Sequence, residues 1–430
     1  MENSFDWSAK KGNPMEYDIL IENGLLLTMA DGLPVLEHGA VLIKHGEIVA
    51  CGRTEEFSGY KIKNRIKAHK KIIMPGLINC HTHLPMSMFR GLADDLPLDV
   101  WLNEHVFPAE AKHVNPDSVE QWSRHSCNEM LLSGTTTCCD GYFHEDCVAK
   151  AVLASGMRAV VGQGVIDFPA PGVPDPEMNI KAAIDFVTKF KNTSSLLYPS
   201  IFCHSPYTCS RQTLMAAKKA AHDLGVLFQI HVAETKNEVN MIQGLGSMTI
   251  VEYLESLGIL DSNTLMVHSV WINDNDIAII KRHHAKIAHC PESNMKLASG
   301  IAPVPKLIKV GIPVGLGTDG CASNNDHDLF SEMDTAAKLH KVALMDPCVM
   351  DARTTLKMAT IEGAKAIGLD HITGSVEKGK RADIILMDTD KPHVTPMYDP
   401  YSSLVYSAKS SDVDLVMVDG RILVRDGKLV

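Results

Sequence analysis

The chain has 430 residues, 45% hydrophobic and 22% charged, which is too long for one small core and suits a large α/β domain with an accessory part. Its formal net charge of -11 excludes a general nucleic-acid binder, which needs a basic face to meet phosphates. Eleven cysteines in irregular spacing, with no C-x-x-C, argue against a disulfide framework and for a reduced, cytoplasmic setting.

In chain order, Met1 to Met15 is polar, lacks the apolar core of a signal peptide and reads as a loose extension. Tyr17–Ile21, Ala40–Ile43 and Ile48–Ala50 read as short strands, with Glu22-Asn23-Gly24 and Lys44-His45-Gly46-Glu47 as turns. Residues 74–376 alternate apolar strands with helical stretches. Strands are predicted at Thr135–Asp140, Arg158–Gly164, Leu197–Cys203, Leu227–His231, Leu265–His268, Lys286–His289 and Val314–Gly317. Helices are predicted at Asn179–Lys191 and Arg211–Leu224. Roughly eight such units predict an α/β fold, a closed (β/α)8 barrel of the TIM type. From residue 377 the style of the start returns in Ala382–Met387, Leu415–Val418 and Arg421–Val424, with Asp419-Gly420 as a turn. The two ends, 1–73 and 377–430, are predicted to pair into one small β-sandwich. No apolar stretch reaches the length of a membrane span.

The polar residues at strand ends carry the chemistry. Pro75 to His83 is an apolar run that ends in His-x-His. Alternate residues of a strand share a face, so His81 and His83 can hold one cation between them; two ordinary loop histidines are the bland alternative. His231, His268 and Asp319 end three further predicted strands, where barrel enzymes carry their active sites. Imidazoles plus a carboxylate suit a divalent metal, zinc first and iron(II) second. Such an ion lowers the pKa of water toward neutrality, and a carboxylate must then move protons. Glu234, three residues beyond His231, is placed to do so without binding the ion. Zinc deaminases of another fold also use a non-ligand glutamate, but their P-C-x-x-C is missing: Pro347-Cys348 is followed by Val349-Met350-Asp351.

Taken together, PGLINCHTH, RGLADDLPLDVWL, HVAE, the strand-end His268, CPESNMKLASG and LGTDGCASNND resemble the amidohydrolase superfamily. Within it the likeness is to 5-methylthioadenosine/S-adenosylhomocysteine deaminases and 5′-deoxyadenosine deaminases, over the whole chain from Tyr17. The resemblance implies His81, His83, His231 and Asp319 as metal ligands and Glu234 as proton shuttle. It implies His268 and Asp319 as the groups that hold the attacking water. Trp101 matches an aromatic beside the nucleoside and Glu110 a carboxylate on the ribose hydroxyls. His204 and Ser323 match further substrate contacts, as do Glu234 and Asp319. Each of the outer residues also has a plain reading: Trp101 as core, Glu110 as a solvated helix residue, Ser323 as a helix cap. His289 reads as structural, and Arg90, Asp94 and Asp95 as loop-ordering charges.

Two-metal relatives bridge their ions with a modified lysine, where this chain has His204, so one metal is expected. The implied reaction is hydrolytic deamination at C6 of an adenine nucleoside, with a small-molecule substrate, no nucleic-acid or membrane partner, and a homo-oligomeric enzyme. Some members clamp the homocysteine carboxylate with arginines ahead of the His204 strand. Between Arg158 and Arg211 this chain has none, only Lys181, Lys189 and Lys191. Lysine is a poorer carboxylate fork than guanidinium, so neutral 5′-substituents are expected to be preferred. The rival readings are a triazine chlorohydrolase or a guanine or pterin deaminase on the same scaffold, and a non-catalytic assembly protein of this fold.

Overall fold

The computed structural model describes residues 16–96, 100–242 and 244–430. The extension Met1 to Met15 lies outside them. The first strands are β1 (Glu16–Leu26), β2 (Leu36–Lys44), β3 (Glu47–Arg53), β4 (Lys61–Lys67) and β5 (Lys71–Pro75). β1 runs straight through Glu22-Asn23-Gly24, the predicted turn. Asn23 takes a left-handed backbone, φ 64°, and the register against β2 shifts there. The segment is therefore a bulge. Gly24 is needed for close approach, because a Cβ would lie 2.6 Å from Ile73. The bulge lets β1 change partners, from β4 over Glu16–Glu22 to β5 at Leu25 and Leu26.

Gly76 alone separates β5 from β6 (Leu77–Thr82), the first strand of the barrel. The barrel continues through β7 (Thr135–Tyr142), β8 (Arg158–Val165), β9 (Leu197–Cys203), β10 (Phe228–Val232), β11 (Thr264–His268), β12 (Lys286–His289) and β13 (Val314–Leu316). These eight strands are ordered consecutively, and their pairings are parallel. Every residue of β6, β7 and β8 is buried, as a parallel sheet covered by helices requires. Predicted limits of the barrel strands agree within about two residues, and the helix over Arg211–Leu224 is found with its predicted limits. The ring closes where the Asp319 amide donates to the His81 carbonyl at 2.9 Å, beside a parallel bridge between Thr82 and Asp319.

The C-terminal strands are β14 (Ile384–Asp388), β15 (Val413–Val418), β16 (Arg421–Arg425) and β17 (Lys428–Leu429). The two ends pair into one small β unit, as the sequence predicts. All nine strands of the two ends join one hydrogen-bonded sheet, because β14 pairs directly with β5. Ile21, Val41 and Ile43 from one end share a core with Ile384, Leu386 and Leu415 from the other. The two ends also meet at their turns, where the Ala382 amide donates to the Gly46 carbonyl at 2.8 Å. Among the described residues no helix is long and apolar enough to cross a membrane, and the eleven cysteines are free.

A buried ion pair binds the terminal sheet to the barrel, with Asp419 Oδ1 a second, more distant carboxylate 3.5 Å from Arg158 Nη2. Arg158, the first residue of β8, donates to Asp383 through Nε at 2.7 Å and Nη2 at 3.0 Å, and both side chains are fully buried. Its remaining Nη1 donates to the Ser195 carbonyl at 2.6 Å. The carboxylate also accepts the Asp419 amide at 2.8 Å. Burial opposes the guanidinium charge, yet Asp383 holds Arg158 above its ordinary pKa. Removing one partner of such a pair strands the other charge. Asp383→Ala is expected to lower stability by about 3–5 kcal/mol, read as the shift in a denaturant unfolding midpoint. A loss below about 1 kcal/mol, the scale of a surface pair, would contradict this account.

Candidate active site

The C-terminal ends of the barrel strands gather the histidines. His81 lies near the end of β6 with His83 just beyond it, His231 lies in β10, and Asp319 follows β13. His81 Nε2 lies 3.1 Å from His231 Nε2 and 3.3 Å from Asp319 Oδ1. His83 Nε2 is likewise 3.3 Å from Asp319 Oδ1. Donors held about 2.0–2.1 Å from one tetrahedral ion would stand roughly 3.3–3.4 Å apart, and the His81, His83 and Asp319 trio has contacts of that length and can hold a metal ion. Two imidazole nitrogens facing each other in a buried site also need a cation or a shared proton between them. His268 belongs to the same cluster: His81, His231 and His268 offer nitrogens within 4.8 Å of one another. The structure thus brings His268 closer to the donor set than a purely water-orienting residue requires.

Burial pushes His81 down to about 4 and His204 down to about 3, and holds His231 well below its ordinary value. Neutral imidazole is the ligating form. Burial alone would raise Asp319, but His81 and His83 hold it well below the usual carboxylate range.

Neighbouring groups aim these side chains. His83 Nδ1 donates to the Gly141 carbonyl at 2.6 Å, which leaves Nε2 free to ligate. Asp319 Oδ2 accepts the Ser293 and Ser323 hydroxyls at 2.7 and 2.9 Å, and Oδ1 accepts the Gly320 amide at 2.8 Å. Ser323 lines the cavity, but its hydroxyl is engaged in holding Asp319, a role the sequence did not suggest. His268 Nδ1 donates to Asn294 Oδ1 at 3.0 Å. Asn79 fixes the loop beneath Asp319, accepting the Thr318 amide at 3.0 Å and donating to its hydroxyl at 2.7 Å. Ser293, Asn294 and Asn79 were missed because a serine or asparagine has no distinguishing sequence pattern. All three lie in strings already singled out, Asn79 in PGLINCHTH and Ser293 and Asn294 in CPESNMKLASG, but without a role.

A cavity of about 360 Å³ opens beside the donors, lined by His83, His204, His231, Glu234, His268, Asp319 and Ser323. Its outer wall includes Trp101, Leu102, Phe107, Glu110, Phe168, Pro169 and Pro171. Trp101 and Glu110 come from one continuous helical segment, Trp101–His113. The Glu110 carboxylate accepts the Tyr142 hydroxyl, and burial pushes it up to about 7 against that bond. His204 is turned by Thr208, whose Oγ1 lies 2.9 Å from its Nδ1. Glu234 stands 3.8 Å from His268 Nε2. Burial, then the charge of Asp319, pushes Glu234 up to about 8, within reach of proton transfer at neutral pH. Arg90 pairs with Glu129, and Asp94 accepts Lys296 at 2.7 Å and Asn325 at 3.1 Å. These charges tie loops around the mouth.

Three imidazoles, one carboxylate and an acid of raised pKa at a barrel mouth are the equipment of metal-assisted hydrolysis. The sequence profile of the amidohydrolase family matches residues 72–423, and the chain belongs to that family. It is 43% identical over 410 residues to the 5-methylthioadenosine/S-adenosylhomocysteine deaminase of Thermodesulfovibrio yellowstonii, covering 94% of this chain and 92% of that protein. It is 43% identical over 408 residues to the 5′-deoxyadenosine deaminase of Methanosarcina acetivorans, covering 95% and 93%. Its fold is similar to the crystal structure of an adenosine deaminase from Xanthomonas campestris with bound zinc, with a TM-score of 0.95, 34% identity and coverage of 97% and 95%.

His289 stands apart from the donor set. Its Nε2 lies 3.2 Å from His340 Nε2, and both side chains are buried. Burial pushes His340 down to about 4 and His289 well below its ordinary value. Above the unfolded histidine pKa of about 6.5 both states are neutral, and below it only the unfolded chain gains protons. Stability is therefore expected to fall as pH drops from about 6.5 toward 4. Urea midpoints at several pH values check this, and the fall should be shallower in His340→Gln. An equal slope in that variant would assign the acid sensitivity elsewhere.

Proposed function

We propose that this protein is a metal-dependent hydrolytic deaminase that converts the 6-amino group of an adenine nucleoside to the inosine-type product and ammonia. Residues 74–376 form its catalytic barrel, flanked by terminal parts 1–73 and 377–430. The observation that carries this reading is the place of Glu234, which lines one cavity together with His83, His231, His268 and Asp319 and stands 3.8 Å from His268. The names of the similar proteins support the adenine nucleoside as the substrate class.

His81, His83, His231 and Asp319 would hold the ion. When bound, one divalent metal, zinc first, supplies a Lewis acid that brings the pKa of water toward neutrality. Water adds through its oxygen to C6 of the ring. Glu234 takes a proton from it and delivers that proton to a ring nitrogen. A second proton goes to the departing nitrogen, ammonia leaves, and C6 becomes a carbonyl. His268 carries its Nδ1 proton toward Asn294, so its Nε2 lone pair faces Glu234 and can accept from the water. Trp101 would pack on the nucleoside, Glu110 would take the ribose hydroxyls, and His204 and Ser323 would lie against the substrate. An ultraviolet assay of adenine-to-hypoxanthine conversion across adenosine, 5′-deoxyadenosine, methylthioadenosine, guanine and a pterin tests the proposal. Turnover of the bare bases alone would refute it.

Two further outcomes follow from named residues. Glu234→Gln should keep its metal while turnover falls about 100–10,000-fold. Survival of turnover within a few-fold of wild type would remove Glu234 from the mechanism. The described residues lining the cavity include no lysine or arginine, while Phe107, Phe168, Pro169 and Pro171 give it an apolar wall. A homocysteine carboxylate would meet no guanidinium there. kcat/KM is expected to be higher for methylthioadenosine and 5′-deoxyadenosine than for S-adenosylhomocysteine, and the reverse order would contradict this.

A further inference from the structure

We propose that Asp140 is a positioning residue on which retention of the metal depends, acting through the turn that carries His83. Asp140 lies near the end of β7 and pairs with Thr82 of β6. Its Oδ1 accepts the Thr82 hydroxyl at 2.8 Å and the Leu84 amide at 2.6 Å. Those two donors belong to the residues immediately before and after His83. The next residue of β7, Gly141, takes the His83 ring proton on its carbonyl at 2.6 Å. Two consecutive residues therefore pin the backbone on both sides of His83 and the ring itself.

The strand ladder does not do this unaided. The β6–β7 register shifts between Asn79 and Thr82, and His83 sits at φ -127° and ψ 80°, between the strand and the short helix Leu84–Phe89. Asp140 itself is fully buried, and among the ion pairs of the described residues it has no lysine or arginine partner. A buried carboxylate without a cation is costly. A threonine or asparagine would serve a strand more cheaply, so plain strand stability is a weak reason for this residue. What the carboxylate supplies is one acceptor for two donors that bracket a ligand. Groups that orient metal ligands in this way typically change metal affinity about 10–100-fold when removed. The inference rests on the metal site and holds whatever substrate the enzyme takes.

Zinc-loaded wild type, Asp140→Ala, Asp140→Asn and Thr82→Val are mixed with excess chromogenic chelator, and the rate of zinc release is followed. Thermal melting of each loaded protein is recorded alongside. Asp140→Ala is expected to release zinc about 10–100-fold faster than wild type. Thr82→Val, which loses one of the two donors, should fall between them. Asp140→Asn keeps an acceptor oxygen and should lie nearer wild type than Asp140→Ala does. Release at the wild-type rate from both Asp140→Ala and Thr82→Val, even with lowered melting temperatures, would overturn the proposal and leave Asp140 a structural residue. Should Asp140→Ala fail to fold, Thr82→Val decides, and its release at the wild-type rate is again the overturning result. Failure of wild type to take up zinc would instead refute the metal site itself.

Discussion

The hydrogen bond from the Asp319 amide to the His81 carbonyl joins the last barrel strand to the first. The same two residues point their side chains at each other, His81 Nε2 and Asp319 Oδ1 standing 3.3 Å apart. Closing the barrel and assembling half of the donor set are therefore one event. An open sheet of the same eight strands would leave His81 and Asp319 at opposite edges, with no place for an ion. On the next strand, Asp140 of β7 accepts from the residues on either side of His83, as Asp319 beyond β13 donates to His81.

Backbone strain collects at the same level. Ala233, His268 and Asp319 all take left-handed conformations, with φ of 51°, 68° and 64°. Non-glycine residues in this region cost about 1–3 kcal/mol each. The surrounding bonds hold them there: Asn294 on His268, and Ser293, Ser323 and the Gly320 amide on Asp319. The turns redirect the chain immediately beyond the strands, so Glu234 and Asp319 face the cavity instead of continuing along the barrel wall.

Much of this was legible in the sequence because it rests on repeating patterns. Apolar runs ending in histidine or aspartate mark buried parallel strands whose tips face one mouth, and these set the barrel and the level of the site. The bulge at Asn23-Gly24 was read as a turn because its residues are turn formers; only the packing of Ile73 against Gly24 shows why a strand passes through them. That the two ends pair was legible in their shared style of short strands; that β5 and β14 are the strands that join them, across some three hundred residues of barrel, was not. Within the site, histidines and acids announce themselves by chemistry, whereas the residues that hold them do not. Asn79, Ser293, Asn294, Asp140 and Tyr142 acquire meaning only from the distances to their partners.

The buried pair of Arg158 and Asp383 has a consequence for how the chain is made. β8 is synthesised early and carries a guanidinium whose partner lies 225 positions later. All eight barrel strands leave the ribosome before that carboxylate does. A nascent barrel thus has a cation that it cannot bury, and β8 has reason to stay open to water at its base until the C-terminal strands arrive. The order of synthesis makes the last segment of the chain a latch, and a truncated product would keep a charged opening in the barrel floor.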